Sequence, residues 1–478
     1  MAAAELRPST PVKVVYGLGA LGEAAFSTSM GFIFFYYTAA LGFSGSLVGA
    51  ALFLGLCADA IVDPFLGSWS DNFKSRLGRR IPLMLAGGPL MALSVAMMFS
   101  PPEGLSDALM FVWLAGWAIA VRTFFSLFHV PYVALGAEMS GDYNERNSIV
   151  AWRTLFLIVA GFVVNLMAYS YFFAGEGGLQ QAERYPTFGW AVAAMVLGGA
   201  GLCALGSAPY ASKLPGVPPV ERHLLARLPG EMVEIFKNRS FRILFLSATL
   251  SFAGVGVNAS FNSHAYVFVW QLRPELIQII TFSFLGGLLA GVPLTPLVSR
   301  FVEKRTTVLI GMALVVAAWM TIAFTRIGGV FDATGAEAVL PLAVLIAIAG
   351  VGAGFCTIAY PSMMADAADE HEHLFGRRRE GLYFAGLGFA FKAAQGVGML
   401  VSGVALDLMG FPKDIGRQVG VTLSPELQDR IVFAWGPGAA VFTVGAMIAL
   451  LAYNISRSRH AEVAASLRGR REAAAPAE

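Results

Sequence analysis

The chain has 478 residues, of which 56% are apolar and 13% charged, where a soluble globular domain carries roughly 25% charged residues. A mean hydropathy of +0.66 is incompatible with a large water-facing surface, and a net charge of only +2 excludes the basic footprint of a nucleic-acid-binding protein. Cys57, Cys203 and Cys356 are scattered through apolar stretches and read as small buried hydrophobes, not as a disulfide framework or a metal site.

Twelve stretches are long enough to span a bilayer, which takes roughly 20 residues. They lie near 14–40, 46–70, 81–100, 108–137, 151–174, 186–208, 241–269, 275–298, 306–325, 337–362, 381–409 and 431–454. The first 13 residues are polar and contain proline, so no cleavable signal peptide is expected. The most polar interruption, 209–240, divides the chain into two sets of six. The expected organisation is an N-terminal six-helix bundle (1–208), a cytoplasmic central loop (209–240), a C-terminal six-helix bundle (241–456) and a basic, alanine-rich cytoplasmic tail (457–478). Such a 6+6 division is the organisation of a pseudosymmetric carrier.

The first segment contains Gly17-Leu-Gly-Ala-Leu-Gly22, a match to the dinucleotide fingerprint. That fingerprint needs a following acidic residue about 20 positions on, and none is present. Glycines that let helices approach closely explain it better. Glu23 lies in the same segment, and Phe32, Phe34, Phe35, Tyr36 and Tyr37 crowd its outer part. Such rings suit a sugar or an acyl chain, but an interfacial belt is the commoner reason for them.

The second segment, GAALFLGLCADAIVDPFLGSW, has Asp59 and Asp63 as its only charges. Four residues apart, they share one helix face, at great cost unless they bind a cation or pair with a base. Carboxylate oxygens suit Na⁺, and a close pair can equally share one proton. Pro64 is expected to disturb the backbone beside them, and Pro131 to open the fourth segment. In that fourth segment Arg122, Ser126 and His129 fall on one stripe. Arg153 lies near the inner end of the fifth, where snorkelling to the headgroups competes with a binding role.

In the second half, Asn258, Asn262 and His264 give the seventh segment a polar face; ordinary interhelical hydrogen bonding is the alternative use. Tyr266 and Trp270 are expected to anchor it at the interface. His371-Glu-His373 lacks the spacing of a zinc protease site and reads as a solvated surface cluster. Lys392 is deep in the eleventh segment, so it should face the protein interior and an acid.

With both termini inside, inner segments hold 24 of the 33 Lys and Arg, and outer loops only six. That bias predicts an integral membrane protein of the cytoplasmic membrane with both termini cytoplasmic. Asp71 and the Lys74–Arg80 cluster, with Asp366, Asp369 and Arg377–Arg379, are expected to form inner-face gating pairs that favour the outward-open state; Arg79, Arg80 and Arg377 are the principal bases.

These residues carry a recognisable pattern: Tyr16-Gly-Leu-Gly-Ala-Leu-Gly22, Asp59-Ala-Ile-Val-Asp-Pro64 with Gly67, Ser75-Arg-Leu-Gly-Arg79, His129-Val-Pro-Tyr-Val-Ala-Leu135, and Lys392 with Gly396. Along essentially its whole length the chain resembles the glycoside–pentoside–hexuronide:cation symporter family, a branch of the major facilitator fold. That family includes the melibiose permeases and, more distantly, the vertebrate sodium-dependent lysophosphatidylcholine carriers. The resemblance implies an all-α polytopic membrane protein with 12 transmembrane helices in two pseudosymmetric six-helix bundles. It implies a cation site at Asp59, Asp63 and Ser126, which would hold Na⁺ if the chain is sodium-coupled. Lys392 falls on the lysine linking cation and substrate sites, and Arg153 on an arginine near the sugar pocket.

The departures bear on substrate. The two aspartates with which melibiose carriers accept galactoside hydroxyls are replaced by Ala24 and His129, and Glu23 is offset by about 100° from the first. Val62 replaces a polar residue next to the cation pair, which leaves Na⁺ versus H⁺ open. The expected activity is alternating-access symport of a sugar, glycoside or uronide, with Glu23, His129, Arg153, Asn258, Asn262 and Lys392 as substrate-binding candidates. A lysophospholipid or other amphiphile is the alternative, and a non-transporting receptor or scaffold a remote one. No nucleophile–base set recurs in the helices, so no enzyme activity is expected, and no cofactor beyond the coupling ion. The expected partners are a small organic solute and the lipid bilayer, with the monomer as the working unit and no nucleic acid.

Overall fold

The computed structural model describes residues 7–73, 75–214, 230, 232–377, 379–413, 415 and 422–474. Among them all regular structure is helical, and twelve helices are long and apolar enough to cross a membrane. These are α1 (Thr10–Ala40), α2 (Gly45–Asn72), α3 (Ile81–Met98), α4 (Asp107–Glu138), α5 (Tyr143–Phe172) and α6 (Arg184–Ala211). They continue with α7 (Arg239–Phe268), α8 (Pro274–Phe301), α9 (Lys304–Ile327), α10 (Ala336–Phe375), α11 (Glu380–Met409) and α12 (Pro425–Leu450). Each coincides with one predicted segment. The largest difference is α10, whose 40 residues run well past the expected end. At about 1.5 Å per residue it measures ~60 Å, twice a hydrocarbon core, so its polar end continues as helix beyond the apolar stretch. A thirteenth helix, α13 (Arg457–Ala474), occupies what reads as a tail.

The chain divides into two compact units: residues 1–226, 273–278 and 403–421 in one, and 227–272, 279–402 and 422–478 in the other. Residues 215–229 and 231 of the expected central loop, together with Lys74, Arg378 and the end of the tail, lie outside the described residues.

In the first unit α1 packs on α5 and α6, α2 on α4, and α3 on α4 and α6. Glycine sets the α4 contacts: a Cβ at Gly87 would lie 2.6 Å from the Phe128 backbone nitrogen, and one at Gly55 2.9 Å from the Ala118 carbonyl. The fingerprint-like glycines are used the same way, since a Cβ at Gly19 would meet the Tyr132 ring at 2.6 Å. Pro64 and Pro131 stay inside unbroken helices, contrary to expectation. Each removes only one amide donor, a loss that a membrane helix absorbs.

The aromatic run of α1 does not form an interfacial belt. Phe32, Phe34, Phe35, Tyr36 and Tyr37 are all buried, and Tyr36 stacks on Tyr185 at 4.0 Å. The Tyr36 and Tyr37 hydroxyls donate to the carbonyls of Phe99 (3.3 Å) and Met98 (2.8 Å). These unsatisfied groups at the end of α3 draw the rings inward.

In the second unit α9 packs on α10, and α7 and α9 on α12. Tyr266 and Trp270 are interior, not interfacial: Trp270 is fully buried with its ring 5.5 Å from that of Trp435. His371 is likewise buried and not solvated, because α10 continues past it and turns its ring onto Phe375 and Tyr383. At the start of α13 the Arg457 guanidinium donates to the carbonyls of Arg300 (3.1 Å) and Val302 (2.7 Å), capping α8. His460 faces Asp366 and Asp369 at 3.5 Å each, and Val463 and Leu467 are buried beneath the helix. The three cysteines are free.

Candidate functional site

Asp59 is the most deeply buried carboxylate of the first unit, with no exposed surface. The Ser126 hydroxyl donates to its Oδ1 at 2.8 Å, and Arg122 Nη1 lies 3.9 Å from its Oδ2. The predicted stripe on α4 therefore meets the predicted acid on α2. Asp63, one turn further along α2, is half-buried, and Arg122 lies within the electrostatic reach of both carboxylates. Arg122 also rests over the Phe26 ring at 5.3 Å. A fully desolvated carboxylate is tolerable only with such compensation. At an effective dielectric of about 20, the 3.9 Å separation gives on the order of 4 kcal/mol of attraction before desolvation is subtracted.

A second cluster centres on Glu23. Arg153 Nη2 donates to Glu23 Oε2 at 3.1 Å, and His129 Nδ1 is 3.6 Å from the same oxygen. Arg153 also lies over the Tyr132 ring at 5.4 Å, and Tyr132 stacks on Tyr16 at 4.7 Å. Arg153 is thus turned into the unit toward an acid instead of snorkelling. Ring contacts from Phe26 to Phe125 (4.9 Å) and from Phe125 to His129 (4.8 Å) connect the two clusters. Both contain a base, an acid and a hydroxyl or imidazole, which suits exchange of hydrogen-bond partners without leaving a charge bare.

The remaining candidates belong to the second unit. Lys392 is half-buried on α11. Asn258 and Asn262 on α7 both address Trp435: Asn258 Nδ2 donates to its carbonyl at 2.9 Å, and Trp435 Nε1 donates to Asn262 Oδ1 at 2.7 Å. Trp435 sits in a π-helical turn, Ala434–Gly438, whose irregular backbone frees that carbonyl.

Of the expected gating residues, Arg80 reaches Asp71 (2.5 Å), Glu138 (2.6 Å) and Ser70 (2.5 Å), and Arg79 reaches Glu138 at 2.8 Å. In the second unit Asp366 pairs with Lys304 at 2.6 Å, while Arg377 and Arg379 turn to Glu234 at 3.9 and 3.5 Å. The halves repeat one device: a base at the start of their third helix (Arg80, Lys304) holds an acid on the C-terminal part of their fourth (Glu138, Asp366). Glu138, Glu234 and His460 were not singled out from the sequence; the signal was an acid or imidazole in or beside a stretch rich in Arg and Lys. Among the described residues no group of three or more His, Cys, Asp and Glu is arranged to hold a metal.

The profile of the MFS/sugar transport protein family matches residues 15–457. The chain is 25% identical to an uncharacterized symporter of Synechocystis over 96% of its own length and 97% of the relative's. It is 23% identical to the isoprimeverose transporter of Lactiplantibacillus pentosus, over 91% and 86% of the two chains. The fold resembles the crystal structure of a mutant of the nucleoside transporter NupG, with a TM-score of 0.60, 17% identity, and coverage of 93% of this chain and 99% of that one.

Proposed function

The chain belongs to the MFS/sugar transport protein family, and we propose that it is a cation-coupled symporter of a glycoside of the glycoside–pentoside–hexuronide:cation branch. The observation that carries this reading is the buried Asp59 carboxylate held between the Ser126 hydroxyl and Arg122. An incoming Na⁺ would take oxygens from Asp59, Asp63 and Ser126, with the Ser126 proton turning away from Oδ1; an incoming proton would sit on the Asp59 carboxyl. Either event weakens the hold of Asp59 on Arg122. The base then seeks another acceptor, and this re-pairing couples cation binding to the neighbouring Glu23 cluster. Lys392 is assigned the corresponding coupling role in the second half.

Glu23, Arg153 and His129 supply acceptors and donors for sugar hydroxyls. Glu23 already offsets Arg153, so the cluster suits neutral hydroxyls better than a uronate carboxylate. The relation to an isoprimeverose transporter supports a glycoside as cargo. Orientation follows from the basic inner loops, with both termini cytoplasmic. A lysophospholipid is the second reading, favoured by the His129-Val-Pro-Tyr132 stretch.

Counterflow in proteoliposomes distinguishes these. Isoprimeverose, a methyl glucuronide and lysophosphatidylcholine would each be tried, with a Na⁺ gradient and with a pH gradient separately. Exchange of the glycoside under one gradient is expected. Exchange of the lysolipid alone would replace the glycoside reading.

A further inference from the structure

Two side-chain stripes run along α4, and they meet different partners. Arg122 and Ser126 reach Asp59 of α2, while Phe125 and His129, offset around the helix, reach Phe26 and Glu23 of α1. On α1, Glu23 and Phe26 are three residues apart and share a face. The result is a continuous row of contacts. Arg122 lies over the Phe26 ring at 5.3 Å, and Phe26 meets Phe125 at 4.9 Å. Phe125 stacks on the His129 imidazole at 4.8 Å, and His129 Nδ1 is 3.6 Å from Glu23 Oε2. The arginines at the two ends have separate acids: Asp59 and Asp63 neighbour Arg122, and Glu23 neighbours Arg153.

Charge alone does not keep the two ends apart. A carboxylate has about four acceptor sites, so Glu23 could take Arg122 beside Arg153. What intervenes is hydrocarbon. Phe26 is buried and Phe125 half-buried, and a guanidinium does not enter an apolar wall without a partner. The wall has a fixed width as well. Gly19 on the Tyr132 ring holds α1 against α4, and Gly55 on Ala118 and Gly87 on Phe128 hold α4 against α2 and α3. Loss of the Phe125 ring would therefore leave a gap that the backbones cannot close.

We propose that Phe125 is a positioning residue that keeps Arg122 away from Glu23 until a cation neutralises Asp59. Re-pairing of Arg122 then follows cation binding and cannot precede it, which makes coupling obligatory. With the ring gone, Arg122 reaches Glu23 early. Asp59 and Asp63 lose their counter-charge, and they take up a cation more readily. This role rests on Asp59 being the cation acceptor.

The test uses the full-length protein in nanodiscs without cargo. Binding of radioactive Na⁺ and a pH titration of the infrared carboxyl band are the two cation probes. Phe125→Ala should raise affinity for the coupling cation about tenfold, the size of an ordinary coupling between sites. In a Glu23→Gln background the same substitution should change that affinity less than about twofold, because Arg122 has no acid to move to. Phe125→Trp keeps a ring at the position and should stay within about threefold of the wild type. Phe125→Val carries the same expectation as Phe125→Ala should the latter fail to fold. A ring needed only for packing would lower the affinity, whether or not Glu23 is present. Unchanged or lower affinity in Phe125→Ala, an equal rise without Glu23, or a Phe125→Trp protein that behaves as Phe125→Ala would overturn the role of Phe125 and leave the cation site standing. Cation binding in Asp59→Asn equal to that of the wild type, or none in the wild type, would overturn both.

Discussion

At the scale of single residues, coupling depends on which atoms can hold charge inside an apolar helix. The Ser126 hydroxyl donates to the cation-free carboxylate, a bond of about 1.5–3 kcal/mol. Ser126→Ala should therefore raise the apparent proton affinity roughly tenfold or more if H⁺ is the coupling ion, whereas if Na⁺ is, loss of an oxygen ligand should lower the apparent affinity. The cation dependence of uptake measures this, and an unchanged half-saturation would remove Ser126 from the site. Glu23→Gln would leave Arg153 without its acid, and loss of glycoside counterflow is expected with assembly intact; full exchange would show that the cluster does not touch the cargo. The Asp59–Ser126 contact was expected from the family resemblance, which places both residues at one cation site; helical spacing by itself gives only the stripe of Arg122, Ser126 and His129 on α4. The pairing of Asp59 with Arg122 was not. Three intramembrane bases, Arg122, Arg153 and Lys392, were available to the acids, and which of them meets which depends on helix rotation, set by close contacts such as Gly87 on Phe128. The burial of Tyr36, Tyr37 and Trp270 was hidden for a related reason: composition places an aromatic near a helix end, but the hydroxyl's bond to a free carbonyl decides which way it turns.

Between elements, the Arg80 and Lys304 ion pairs hold third and fourth helices together, and their burial and number of partners rank them. Arg80 is 6% exposed at its side chain and Lys304 40%. Arg80→Ala takes the shared base from Asp71, Glu138 and Ser70 and should cost up to about 3 kcal/mol, and Lys304→Ala should cost less, because Asp366, although only 10% exposed, keeps His460 at 3.5 Å. Thermal unfolding in detergent reads both, and a larger loss for Lys304→Ala would reverse the ranking. The start of α5 adds a pH term. The Glu145 backbone N–H, donating to Asp142 at 3.0 Å, holds that carboxyl below the usual aspartate value. Its stabilisation is present above the unfolded carboxyl range and is lost as pH falls through the folded value. Asp142→Ala should accordingly flatten the acid limb of the unfolding curve, and an identical limb in both proteins would show that the cap contributes nothing. Element existence was legible throughout because hydropathy reports length in lipid. The end of α10 and the whole of α13 were not, because both are polar helices held by particular contacts: Arg457 on the α8 carbonyls, and His460 beside Asp366.

For the whole molecule, twelve membrane-length helices, the family match over residues 15–457 and the repeated base–acid device in each half describe a transporter of the major facilitator kind. What drives it is the central claim, and it rests on Asp59. The most direct measurement is glycoside-dependent cation flux in proteoliposomes, comparing the wild type with Asp59→Asn. The wild type should move Na⁺ or H⁺ with the glycoside, and Asp59→Asn should lose that flux and all stimulation by a cation gradient while remaining folded. Full cation flux and full gradient stimulation in Asp59→Asn would contradict it.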